Sequence, residues 1–189
     1  GDATGNDLTG EAGDDTLFGG AGSDSLNGGV DDDLLEGGTG DDTLSGWSGT
    51  DTVTYAGSPS PVQVDLGQRL ATGGLGSDVL IDIENVIGSP YSDSMSDGSA
   101  TNVLDGRAGN DTLLAMFGPD TLLGGEGNDW ISLGHAFRAV GQGGAGDDTL
   151  EGSGFGQLDG GDGNDVFISK GQCTVLGGEG DDDIVDGVN

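Results

Sequence analysis

The chain has 189 residues, the length of one domain, and its 35 acidic and four basic side chains give a formal net charge of -31. Gly and Pro supply 47 residues, whereas Leu, Ile, Val and Phe supply only 42, which excludes an ordinary globule built around a large apolar core. So acidic a chain is the wrong partner for nucleic acid or an anionic membrane, and no apolar run approaches the ~20 residues of a membrane span. Divalent cations or a cationic surface are its natural partners. Those totals also describe a disordered acidic linker, but a linker does not need an apolar residue at every ninth position. Cys173 is the only cysteine, so no internal disulfide can staple the chain.

Residues 1–54 read as a first array. Gly5-Asn6-Asp7 opens it with a copy one residue short, and copies then start at Gly10, Gly19, Gly28, Gly37 and Gly46, nine residues apart. Each places an aspartate sixth (Asp15, Asp24, Asp33, Asp42, Asp51) and an apolar residue two positions later (Leu17, Leu26, Leu35, Leu44, Val53). Asp31 replaces the third glycine of the copy at Gly28. Aspartate tolerates left-handed backbone better than most residues, so that turn is expected to survive.

Residues 55–105 interrupt the regularity. Gly57–Pro61 reads as a loop, and Val62-Gln63-Val64-Asp65-Leu66 alternates with the period of a half-buried strand. Gly73-Gly74-Leu75-Gly76-Ser77-Asp78 reads as one more repeat turn, and Ile83-Glu84-Asn85-Val86-Ile87 as another strand. Two accounts of this segment stand: longer coils that keep a solenoid continuous, or a separate binding loop. Weak copies at Gly88–Ser96 and Asp97–Asp105, containing Asp93 and Asn102, resume the register.

Residues 106–189 form the second array. Strong copies start at Gly106, Gly124, Gly143, Gly160 and Gly177, spaced 18, 19, 17 and 17 residues. Their sixth residues are Asp111, Asp129, Asp148, Asp165 and Asp182, and Leu113, Ile131, Leu150, Phe167 and Ile184 are expected to point inward. Weak copies starting at Ala115 (with Asp120 sixth), Leu133, Gly152 and Ser169 alternate with them. No helical periodicity occurs, so the chain reads as all-β, with its arrays joined in one continuous solenoid domain. No signal peptide opens it, and repeats run to both ends, so a fragment or processed piece is expected.

Six residues of each copy suit a turn and three a short strand, whose middle side chain faces one side and its neighbours the other. Two copies make one coil, so like turns stack on each edge. The glycines permit a backbone that aims carbonyl oxygens into the gap between stacked turns, and the sixth-position aspartate adds a carboxylate. A set of oxygens from two turns suits a hard cation such as calcium.

The unit Gly-Gly-x-Gly-x-Asp-x-U-x, with U a large apolar residue, resembles the RTX (hemolysin-type, serralysin-like) calcium-binding repeat, and the resemblance covers nearly all of the chain. It implies a right-handed parallel β-roll, a β-helix of two short-stranded parallel sheets with about 18 residues per coil. It also implies an ion between each turn and the turn one coil on. The lower turn would give its second and fourth carbonyls, the upper its first and third, and both the sixth-position aspartate, which bridges successive ions. Mapped onto this chain, Asp111, Asp129, Asp148, Asp165 and Asp182 form one column, Asp15, Asp33 and Asp51 a second, and Asp24 and Asp42 face the latter. Asp78, Asp93 and Asp120 join them as carboxylates. The matching glycines are Gly19, Gly20, Gly22, Gly28, Gly29, Gly37, Gly38, Gly40, Gly106, Gly109, Gly124, Gly125 and Gly127. In the later copies they are Gly143, Gly144, Gly146, Gly160, Gly161, Gly163, Gly177, Gly178 and Gly180. Adjacent strong turns then hold on the order of eight calcium ions, which offset roughly half of the charge. Because the ligands are scattered and repel one another without metal, binding and folding are expected to be one event.

The weak copies of the second array carry Met116, Phe117, His135, Phe137, Arg138, Phe155, Lys170 and Cys173. Either these side chains fill turns that have lost an ion, or this edge contacts a partner or a second copy. Uncapped solenoid ends offer another route to self-association. Catalytic motifs are lacking. One histidine allows no His-Glu-x-x-His site, the glycine turns lack the Lys-Ser/Thr of a phosphate loop, and nothing places Cys173 beside His135 as a nucleophilic pair. The expectation is therefore a calcium-responsive module without enzymatic activity. The family resemblance implies an extracellular protein exported by type I secretion. The rivals are a segment of an extracellular filament, adhesin or surface matrix, and an accessory module of a secreted polysaccharide-modifying enzyme.

Overall fold

The computed structural model describes residues 1–186 and divides into two compact units, Gly1–Pro90 and Tyr91–Asn189. Every element among the described residues is a β-strand, and each unit is a parallel β-solenoid of two sheets.

In the first unit Asp7–Ala12, Ser25–Val30, Thr43–Ser48 and Gly76–Ile81 pair in parallel on one side. Thr16–Ala21, Leu34–Thr39, Thr52–Thr54 and Asn85–Ile87 do so on the other. The register is the repeat made physical: Leu8, Leu26, Leu44 and Leu80 form one inward column, and Leu17, Leu35, Val53 and Val86 the facing one. Leu26, Leu35, Leu44, Val53, Leu80 and Val86 are buried, each contributing ~1.5–3 kcal/mol relative to exposure. The second unit repeats the plan. Met95, Leu113, Ile131, Leu150 and Phe167 line up on one side, with Leu104, Leu122, Gly141 and Leu158 on the other.

Three expectations need correction. Many strands are six residues long rather than three, as in Thr121–Glu126 and Val140–Ala145. Pairing continues into the turn because the second glycine, with φ +113 at Gly125 and +115 at Gly144, lets the chain bend while its backbone still bonds to the next coil. Ile184 keeps its place in register with Phe167 but is 66% exposed. Finally, only the second half of Gly73–Asp78 acts as a repeat turn, with Ser77 N–H donating to Asp41 Oδ1 and Asp78 Oδ1 accepting Asp42 N–H; the first half belongs to a hairpin. Leu70–Gly73 pairs antiparallel with both Val62–Asp65 and Gly76–Ile81, so Gly74 and Leu75 form the tip of a tight hairpin. Val62, Val64 and Leu66 are buried, as their alternation implies, while Asp31 occupies its left-handed position at φ 80.

Candidate metal centre

The sixth-position aspartates stack on the solenoid edges as the spacing requires. Each backbone N–H donates to Oδ1 of the aspartate one coil on. In the first unit Asp15 bonds to Asp33 and Asp33 to Asp51, both at 2.9 Å. On the facing edge Asn6 bonds to Asp24 at 2.7 Å, Asp24 to Asp42 at 2.8 Å and Asp42 to Asp78 at 3.1 Å. In the second unit one unbroken column runs from Asp93 through Asp111, Asp129, Asp148 and Asp165 to Asp182, with bonds of 2.7–3.1 Å. Asp120 lies in a short column of its own, accepting from Asn102 N–H at 2.9 Å.

These bonds use one oxygen of each carboxylate. Oδ2 of Asp15, Asp24, Asp33, Asp42, Asp111, Asp120, Asp129, Asp148 and Asp165 is buried without a hydrogen-bond partner. An ionised oxygen in that position loses its hydration and gains nothing in return. The columns also set like charges one above another. Burial, with the neighbouring aspartates adding to it, pushes the Asp111 and Asp148 carboxyls up to about 7. Burial likewise pushes Asp51 and Asp78 up to about 6 and raises Asp42, Asp129, Asp165 and Asp120. A carboxylate column in this condition needs protons or cations.

The glycines fit the second alternative. A Cβ on Gly124 would lie 2.1 Å from Asp129 Oδ2 and 2.5 Å from the Gly143 carbonyl oxygen, and one on Gly160 would lie 2.0 Å from Asp165 Oδ2 and 2.5 Å from the Gly177 oxygen. The first glycine of a turn thus leaves open a cradle where its own aspartate and the next turn's carbonyl converge. At the second glycine a Cβ would strike the carbonyl of the preceding coil, 1.9 Å away at Gly125 and 2.0 Å at Gly161. Among the described residues no three His, Cys, Asp or Glu side chains gather as a metal site. The donor set is therefore carboxylate pairs and peptide carbonyls, the all-oxygen chemistry of a hard cation.

Several residues of these columns were not singled out in sequence. Asp51 N–H donates to Glu84 Oε2 at 2.9 Å, and the Tyr55 hydroxyl donates to Asp78 Oδ2 at 3.0 Å. An outer ladder of fifth-position residues runs alongside the main column. Asn128 N–H donates to Asn110 Oδ1, Asp147 to Asn128, Asn164 to Asp147 and Asp181 to Asn164, at 2.8–3.1 Å. Its sequence signal was available, since the fifth residue of most strong copies is Asn or Asp. Asp97, first residue of a weak copy, is fully buried and accepts Met116 N–H with both oxygens at 2.9 Å. Burial pushes its carboxyl up to about 7, and Asp120 beside it adds to the shift.

The aromatic residues of the degenerate edge do not fill its turns. Phe117, Phe137 and Phe155 are 58–59% exposed and Met116 is 53% exposed, while Ala115, Leu133, Ala136 and Ala139 are the buried residues there. Phe137 and Phe155 meet edge to face at 5.9 Å, and the Arg138 guanidinium lies 5.7 Å from the Phe137 ring centre. Cys173 is half-buried, with its thiol 3.6 Å from the Gly154 carbonyl. No helix among the described residues is long and apolar enough to cross a membrane.

Fold and site together define a parallel β-roll whose edges are built to hold hard cations between stacked turns. The family model of the RTX calcium-binding nonapeptide repeat matches residues 1–35, 28–57, 72–113, 87–122, 105–134, 140–155 and 157–171, and the chain belongs to this family. It is a calcium-binding repeat module. No curated protein matches the chain as a relative.

Proposed function

We propose that the chain is a calcium-responsive folding module of a secreted protein, without catalytic activity of its own, that becomes ordered on the order of eight ions. The observation that carries this reading is the row of buried, unpartnered Oδ2 atoms in the aspartate columns. Bound calcium supplies the positive charge that those columns lack. The chain supplies the rest: Oδ1 fixes the spacing of the coils through the N–H ladder, and Oδ2 faces the gap between turns. The first glycine keeps that gap open, and the inward leucines hold the stacked coils in register. At low calcium the carboxylates repel one another and the small apolar core does not compensate, which suits a chain exported unfolded by type I secretion and folding outside. A circular dichroism titration tests it. The expected result is a disordered metal-free chain that becomes β-rich at millimolar calcium, and a signal that stays flat through about 10 mM overturns the reading.

The exposed phenylalanines of the second unit support a second role, self-association through the degenerate edge. A grouped apolar surface on a chain this acidic is where a contact costs least. Assembly into a filament or surface matrix is the extended form of that role.

A further inference from the structure

On one edge of the first unit, the aspartate column continues after the nonapeptide pattern has stopped. Asn85 pairs with Thr52 in register, so Glu84 stands opposite Asp51, in the position of a repeat aspartate. Its bonds match that position. Asp51 N–H donates to Glu84 Oε2 at 2.9 Å, as Asp33 N–H does to Asp51 Oδ1 at the same distance. Asn85 N–H donates to the Asp51 carbonyl at 2.9 Å, as Thr52 N–H does to that of Asp33 at 2.8 Å. The step from Asp51 to Glu84 spans 33 residues rather than 18 because the antiparallel hairpins intervene.

The cradle also continues. A Cβ on Gly46 would lie 2.3 Å from Asp51 Oδ2 and 2.3 Å from the carbonyl oxygen of Asp82, while one on Gly10 would lie 2.5 Å from Asp15 Oδ2 and 2.5 Å from the Gly28 oxygen. Asp82, at φ 50, therefore presents its carbonyl where a repeat presents that of its first glycine. Asp51 is 1% exposed. Its Oδ1 accepts Asp33 N–H, and its Oδ2 is the oxygen that borders the open first position of Gly46. The facing column ends differently, since the Tyr55 hydroxyl already satisfies Asp78 Oδ2.

We infer that Asp51, Glu84 and the Asp82 carbonyl form a further divalent-cation site, a last rung whose upper half comes from outside the repeats. The inference rests on the calcium reading of the repeats themselves. Three residues, Asp82 to Glu84, replace the six of a repeat turn, and the additional methylene of glutamate carries its carboxylate across the shortened path. Fewer carbonyls face this gap than face a full pair of turns, so water completes the shell and this ion is the most weakly held of its column.

Glu84→Gln tests the site, because glutamine keeps an oxygen to accept Asp51 N–H but removes the charge. Native mass spectrometry in saturating calcium counts ions on the wild type, Glu84→Gln and a second-unit control, Asp129→Asn, while circular dichroism monitors folding. The expected result is a folded Glu84→Gln protein with one ion fewer than the wild type. Equal counts for Glu84→Gln and the wild type, with Asp129→Asn reduced, overturn the site and leave Glu84 as a cap for one N–H. A wild type that holds no calcium overturns the underlying reading, and the site with it. Should Glu84→Gln fail to fold, the anomalous map of calcium-loaded wild-type crystals decides. A peak beside the Glu84 carboxylate supports the site, and its absence while peaks fill the gaps between repeat turns overturns it.

Discussion

Asp148→Asn probes whether one carboxylate serves two ions. The substitution spares the scaffold of the column: Asp148 Oδ1 accepts Asp129 N–H at 2.7 Å and Asp148 N–H donates to Asp165 Oδ1 at 2.9 Å, and asparagine retains both an accepting side-chain oxygen and the backbone N–H. What changes is the charge and the second oxygen, which is buried and unpartnered at Asp148. Asp148 borders two gaps, one toward Asp129 and one toward Asp165, whereas among the described residues Asp182 borders only the gap toward Asp165. A shared carboxylate therefore predicts the loss of two ions from Asp148→Asn and of one from Asp182→Asn. With calcium near one hundred times the dissociation constant, each ion stabilises the folded state by about 2.7 kcal/mol. The two variants should lose about 5 and about 3 kcal/mol, the larger a substantial part of the ~5–15 kcal/mol of a typical domain. Isothermal titration gives the stoichiometry, and urea unfolding at a fixed calcium concentration of about 10 mM gives the stability. Equal losses of ions and of stability in the two variants refute the sharing.

Two further outcomes follow from the same geometry. Asp111 and Asp148, held up to about 7 in the metal-free fold against roughly 4 for an ordinary carboxyl, favour that fold when protonated. Their contribution is complete below about pH 4 and is lost as the pH rises through about 7. Without calcium the β-sheet signal should therefore fall between those limits, and the calcium concentration at the folding midpoint should rise over the same interval, because calcium must then supply the stabilisation that the protons no longer give; a midpoint that falls as the pH rises refutes this. Replacing Phe117, Phe137 and Phe155 together by Ser should abolish any association seen in sedimentation while leaving calcium-induced folding intact, since all three rings are exposed. Loss of folding in that variant contradicts a surface role.

The parallel coils and their columns were legible because every strong copy states its inward residue and its aspartate at fixed positions. Leu113 and Asp111 lie where nine-residue counting puts them, buried and in column with Ile131 and Asp129. Counting failed where two structures share one local signal. Gly73–Asp78 carries the glycines and aspartate of a repeat, yet Gly73 and Gly76 pair across a hairpin. The antiparallel partner that decides the matter, Val62–Asp65, lies outside the hexamer that resembles a turn. Glu84 escaped for the complementary reason. It takes a repeat position through pairing 33 residues away, a distance that no fixed period reaches. The exposure of Phe117, Phe137 and Phe155 was equally hidden, because periodicity places a residue in a turn without saying which smaller side chain fills the space beneath it.

That space separates the two edges of the second unit. All ten strong copies begin with glycine, although Glu11, Trp47 and Arg107 stand at the second position, each in left-handed backbone at φ 75–80. Left-handed geometry is thus tolerated at a cost on the order of 1–3 kcal/mol, whereas a side chain at the first position is not found, because a Cβ there would fill the cradle. The degenerate copies begin instead with Asp97, Ala115, Leu133 and Ser169. Leu133 is 1% exposed, and its methyl groups are among the first atoms that a Cβ on Gly141 or Gly156 would meet, at 3.4 and 2.8 Å. Gly152 keeps the glycine, but a Cβ there would meet the Cys173 sulfur at 2.7 Å rather than a carboxylate oxygen. Around Leu133 and Gly152 hydrocarbon and sulfur occupy the place that carboxylates and carbonyls hold on the other edge, and in register with Asp120 these turns present Ala139 and Gly156 rather than an aspartate, so the cradle and its carboxylate are lost together.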